Sequence, residues 1–67
     1  MKKMQLIESR KKKKLTQEEL AKILGYSKST VSNWENGYSN PSLQDALKIS
    51  RILEKDIDYL FSGLLVH

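Results

Sequence analysis

Lys28, Ser29, Ser32 and Asn33 are the residues with the most chemistry to offer. Their spacing puts all four on one face of a helix. Short hydroxyl and amide side chains with one cation are the types that hydrogen-bond base edges in a DNA major groove. The opposite face carries only Val31 and Trp34 as apolar residues. A helix so polar on one side and so thinly apolar on the other is built to be presented to a partner.

Other chemistry has little material. There is no cysteine, which removes disulfides, thiolate zinc sites and thiol nucleophiles. The one histidine is His67, the last residue, and no glycine-rich phosphate loop occurs. Glu18 and Glu19 are neighbours on a helix and point different ways, so they form no acid–base pair. The expectation is a protein that is not an enzyme and takes no metal, cofactor or small-molecule ligand. No apolar run approaches the roughly 20 residues that span a bilayer. Behind Lys2 and Lys3, residues 8–14 are polar and basic where a signal peptide would be apolar. These features point to a soluble cytoplasmic protein with no membrane role.

Sixty-seven residues make one domain, residues 1–67. A chain of this size buries only about 60% of the surface its unfolded form exposes, so its core is marginal. The net charge of +4 is unevenly spread. Residues 1–28 hold nine Lys and Arg against three Glu, a net +6, while residues 29–67 carry −2. A basic half around a candidate recognition helix suggests a polyanion partner. A lysine run alone is more often a solvated helix face.

The elements that position these residues are all helical. Nothing alternates with period two for long enough to be a strand. A first helix is expected over residues 3–13, with Met4, Leu6 and Ile7 apolar and a basic end suited to the helix dipole. Thr16 with Glu19 three residues on is a capping box, opening a second helix to about Leu24. Its apolar residues are Leu20, Ala21, Ile23 and Leu24. Gly25 supplies the left-handed turn that stops it. Ser27 is the expected cap of the third helix, residues 28–35, which Asn36 and Gly37 end. Pro41 and Ser42 open a fourth helix, and Asp56 is the expected cap of a short fifth, residues 57–61. Ala21 offers the small residue a steep helix crossing needs, and Val31 can pack against it. Leu20, Leu24 and Trp34 anchor the pair to the rest of the core. A helical hairpin of this kind is common in small bundles; the polar outer face and basic flank set this one apart.

Gln17, Ala21, Gly25, Val31, Trp34 and the run Glu35, Asn36, Gly37 resemble the Cro and phage-repressor type of helix-turn-helix domain, the lambda-repressor-like fold. The likeness continues through Asn40, Pro41, Ser42 and Leu43 to the Ile57–Phe61 end, covering roughly residues 3–61. It implies an all-α fold of five helices, with the helix-turn-helix at about residues 16–36 and the third helix in the major groove. Ser27, Lys28, Ser29, Ser32 and Asn33 would then face bases. Gln17 and Asn36 match positions that contact backbone phosphate. Lys14 and Tyr38 are further phosphate candidates, and Tyr26 either reaches phosphate or covers a loop. Arg10 and Glu35 match a partly buried ion pair between the first and third helices.

Two residues depart from the pattern. Lys14 and Glu54 stand where relatives have glycine between helices. A left-handed backbone there is costly for a residue with a Cβ, so these loops are expected to differ in shape.

The resemblance implies a transcriptional regulator, a repressor acting as a homodimer on double-stranded DNA with a palindromic operator. The competing expectation is a protein-interaction module, such as an antitoxin or anti-repressor partner, on the same fold. Leu64, Leu65 and Val66 form an apolar tail, residues 64–67 with His67, for which a monomer offers no obvious place. With Tyr59 they are the expected dimer interface.

Overall fold

Thr16 opens the most fully satisfied helix end of the molecule. Its Oγ1 accepts from the Glu19 backbone N–H at 3.0 Å, and the Glu19 carboxylate accepts from the Thr16 N–H at 2.8 Å. Two donors that a helix start leaves without partners are thus satisfied reciprocally. This computed structural model describes residues 2–61. Within them lie five α-helices: α1 (Met4–Lys12), α2 (Gln17–Leu24), α3 (Lys28–Asn36), α4 (Leu43–Leu53) and α5 (Ile57–Leu60). No strand occurs among the described residues.

The other helix ends follow local chemistry in part. Gly25 closes α2 at φ +83°, and Gly37 closes α3 at φ +79°. A Cβ at Gly25 would meet nothing within 4 Å, so its backbone angle rather than crowding favours glycine there. Ser42 caps α4 by accepting from the Asp45 N–H at 3.1 Å. Two expected caps differ. Ser27 and Asp56 occupy the cap positions of α3 and α5 with extended backbone, but neither side chain accepts from a backbone N–H of its helix. The Ser27 hydroxyl goes instead to the hydroxyls of Ser29 and Thr30, at 3.0 and 3.2 Å.

Lys14 and Glu54 do not reshape their loops. Both take the left-handed conformation, at φ 59° and 57°. The two corners are joined across 2.9 Å by the Lys13 ammonium and the Glu54 carboxylate.

α2 and α3 pack chiefly on one another, with Leu20 and Ala21 of α2 buried beside Val31 and Trp34 of α3. α1 and α4 both close on α5. Leu6, Ala46, Ile49 and Leu53 complete the core with Leu60 and Phe61. Each large apolar side chain so buried is worth about 1.5–3 kcal/mol. Met4 and Ile23 do not join them: Met4 is half exposed and Ile23 is 57% exposed. Ser9 and Arg10 are the inward residues of α1 beside Leu6. No helix among the described residues is long and apolar enough to cross a membrane.

Candidate nucleic-acid interface

The two faces of α3 are sharply divided. Val31, Trp34 and Glu35 are buried, while Lys28, Ser29 and Asn33 are exposed. Neither Lys28 nor Asn33 spends its side chain on a hydrogen bond to any described residue. Ser32 and Asn36, one turn apart and half-buried, bond each other, with the Asn36 amide donating to the Ser32 hydroxyl at 3.2 Å. Thr30, which the sequence did not single out, is half-buried behind Ser27 and shares its hydroxyl.

What fixes this helix lies at its far end. The Glu35 side chain is 3% exposed, yet its carboxylate is fully supplied with donors. Arg10 donates Nε to Oε2 at 2.6 Å and Nη2 to Oε1 at 3.2 Å. Gln17 donates Nε2 to Oε1 at 2.9 Å. The remaining Arg10 nitrogen, Nη1, donates to the Leu15 carbonyl at 2.7 Å. Among the described residues no buried side-chain nitrogen or oxygen is left without a partner. A buried charge pair is tolerable only under that condition. The network joins α1, the α1–α2 loop, the start of α2 and the end of α3. The Lys3 backbone N–H adds a bond to the Glu35 carbonyl at 2.8 Å.

An open cleft lies beside the network, lined by Arg10, Thr16, Gln17, Glu18 and Lys28. It brings the end of α1 and the starts of α2 and α3 to one side of the molecule. A helix start carries partial positive charge and free N–H groups, so this side suits an anion. Gln17 has one amide N–H on Glu35 and a second that is free, so it can bridge the network to a phosphate. Lys14 is exposed at its left-handed corner. Tyr38 is 79% exposed just beyond α3.

Tyr26 is 43% exposed, but its phenol is committed to the protein. Its phenol donates to Asp45 Oδ2 in the first turn of α4, and its ring meets Trp34 edge-on with centroids 5.4 Å apart. The bond to Asp45 holds the phenol pKa above its ordinary value, with desolvation and the Asp45 charge adding to the effect. The sequence carried little signal for Asp45, which resembles an ordinary acidic residue at a helix start. At the other end of the molecule, Tyr59 is half exposed under the Lys55 ammonium, 5.6 Å from its ring centroid. Leu64, Leu65 and Val66, the rest of the expected interface, lie outside the described residues.

Residues 6–60 match the family model described as helix-turn-helix. The chain is 39% identical over 54 residues to an uncharacterized HTH-type transcriptional regulator, YqaE, of Bacillus subtilis, covering 81% of this chain and 47% of that protein. It is 41% identical over 51 residues to the HTH-type transcriptional activator BcrR of Enterococcus faecalis, covering 76% and 25%. It is 37% identical over 54 residues to repressor protein C2 of Salmonella phage P22, covering 81% and 25%. The chain thus spans about half or less of the length of these relatives. It belongs to the helix-turn-helix family of Cro and phage-repressor type, an all-α, five-helix fold that is not an enzyme family.

Proposed function

We propose that this chain, as a member of that family, is a sequence-specific DNA-binding regulator of transcription. We infer further that it acts in the cytoplasm as a repressor, as a homodimer on a palindromic operator. The observation that carries the reading is the state of α3. Lys28 and Asn33 are exposed and uncommitted, on a helix whose other face is locked by Val31, Trp34 and the Glu35 network. Asn33 can bond adenine N6 and N7 in a bidentate way, and Lys28 can donate to guanine O6 and N7. Ser27, Ser29 and Ser32 supply hydroxyls to the same groove. Gln17, Asn36, Lys14 and Tyr38 hold the phosphates and so set register without reading sequence.

One copy offers too few base-reading side chains for high specificity. A two-fold pair on half-sites about 34 Å apart doubles them. A dimer seated on an operator blocks polymerase by occupancy alone, which favours repression.

Selection of bound duplexes from a random pool tests the reading. A recovered palindromic consensus bound by two copies supports it. Recovery of no consensus, with binding insensitive to salt, overturns it and favours a protein-interaction module on the same fold.

A further inference from the structure

Tyr26 sits in the turn between α2 and α3 and serves three elements at once. Its backbone N–H donates to the Ala21 carbonyl at 2.8 Å, which closes α2. Its ring stands edge-on to Trp34 of α3 at an interplanar angle of 77°. Its phenol donates to the buried Asp45 of α4. The acceptor is itself seated, because the Asp45 backbone N–H is bonded to the Ser42 hydroxyl. The backbones of α2 and α3 make few close approaches to α4. Among the described residues, the Tyr26 phenol is the side-chain hydrogen bond that ties the α2–turn–α3 unit to α4.

We propose that Tyr26 is a positioning residue for sequence reading, fixing the N-terminal end of α3 against α4 through Asp45. The proposal rests on the DNA-reading function given above. α3 is held at two ends: Glu35 in its last turn is gripped by Arg10 and Gln17, and the turn before Lys28 is gripped by Tyr26. Released at the second point, α3 can tilt against α4 together with α2, on which it packs, about the first. Seven residues separate Lys28 from Glu35, about 10.5 Å of helix at a rise of roughly 1.5 Å each. A tilt of only about 10° about Glu35 moves Lys28 by about 1.8 Å over that length. Ser29, one residue closer, moves by about 1.6 Å, and so short a side chain cannot make up that shift when a hydrogen bond to a base edge has a window of about half an ångström. Contacts from flexible lysines to phosphates accommodate the same shift. Loss of the tie should therefore separate specific from non-specific binding.

The test uses the whole chain and a consensus duplex selected by the wild-type protein. Tyr26→Phe keeps the ring against Trp34 and removes only the hydroxyl. It should bind the consensus at least tenfold more weakly while staying within twofold on random duplex. Asp45→Ala leaves the tyrosine whole and should reproduce the same split. Asp45→Asn keeps an acceptor for the phenol and should stay within threefold of wild type on both DNAs. Tyr26→Phe combined with Asp45→Ala should be no worse than either alone, as expected for two halves of one interaction. Undiminished consensus binding by Tyr26→Phe overturns the proposal. Equal losses on both DNAs, including losses through unfolding, also overturn it. If the wild-type chain selects no consensus, the DNA-reading function itself is what has failed.

Discussion

Arg10 and Glu35 meet at 2.6 Å with their side chains 8% and 3% exposed, although 25 residues separate them in the chain. Removing one partner of a buried pair leaves the other charge uncompensated and costs about 3–5 kcal/mol. Glu35→Ala should therefore cost that much. In a domain of 60–100 residues, about 1 kcal/mol corresponds to roughly 4–8 °C in melting temperature. Circular dichroism should show melting lowered by at least about 12 °C at that exchange rate, or no cooperative transition at all. A shift of only a degree or two would mean the pair contributes like an exposed one.

Asn33 and Gln17 should part company on DNA. Asn33→Ala removes an exposed, uncommitted amide, so it should cost about 1–3 kcal/mol on the selected site and little on random DNA. Gln17→Ala should weaken both DNAs about equally. It also removes a donor from Glu35, so it should destabilise the fold by roughly 0.5–1.5 kcal/mol or somewhat more. Fluorescence anisotropy on the two duplexes checks the pair of variants. Parallel losses for Asn33→Ala would remove its base-reading role.

Lys14→Gly should make the protein more stable and a poorer DNA binder. Relief of the left-handed backbone returns about 1–2 kcal/mol. The entropy of glycine in the unfolded chain takes back about 0.5–1 kcal/mol. The net gain is about 0–1.5 kcal/mol. If Lys14 neutralises a phosphate, the slope of log affinity against log salt should fall by about 0.9. An unchanged slope would release Lys14 from the interface.

Two groups make the stability of the fold depend on pH. The Tyr26 phenol keeps its proton above the ordinary value of 10.0 because Asp45 accepts its hydrogen bond. A folded pKa raised this way means the contribution is complete below pH 10 and is lost as pH rises through the folded value. Ultraviolet difference titration should show a tyrosine ionisation above pH 10.0 that Tyr26→Phe abolishes. Glu54 behaves in the opposite sense. Its bond to Lys13, reinforced by the lysine charge, holds its carboxyl below 4.5. The stability it supplies is present above that value and disappears as pH falls through the lowered one.

The tail gives the fifth test. Residues 64–66 are apolar, and we propose that they lie with Tyr59 across the dimer two-fold. Deleting residues 64–67 should weaken dimerisation by sedimentation while leaving helicity intact. Operator binding should fall more than binding to a single half-site. Unchanged dimerisation would move the interface elsewhere, with the exposed Leu43 and Leu47 of α4 as the next surface to substitute.

Local signals were legible in the residues themselves, whereas the long-range Arg10–Glu35 pair was legible only through the family resemblance and other long-range contacts were not. Thr16, Gly25 and Ser42 act on backbone within a few residues, so the helix boundaries they set can be read directly. The polar face of α3 follows from helical spacing alone. Ile23 misled because hydrophobic type does not say which way an apolar residue faces when Leu20 and Ala21 already fill the packed side. The fate of the Tyr26 phenol depends on Asp45, 19 residues on, and on α4 arriving beside the turn. Ser27 shows the limit of even a local rule. A hydroxyl at a helix start can choose neighbouring hydroxyls over the backbone, and its type does not reveal the choice.

Positions 28 and 33 hold nothing up. Both side chains are exposed, and neither bonds to a described residue. Surface substitutions free of such ties usually change stability by no more than about 0.5 kcal/mol. Under the proposed function, the two base-reading positions can therefore be changed without repair elsewhere in the fold. A library randomised at these two positions should stay almost wholly soluble and foldable, and it offers a direct way to retarget the scaffold.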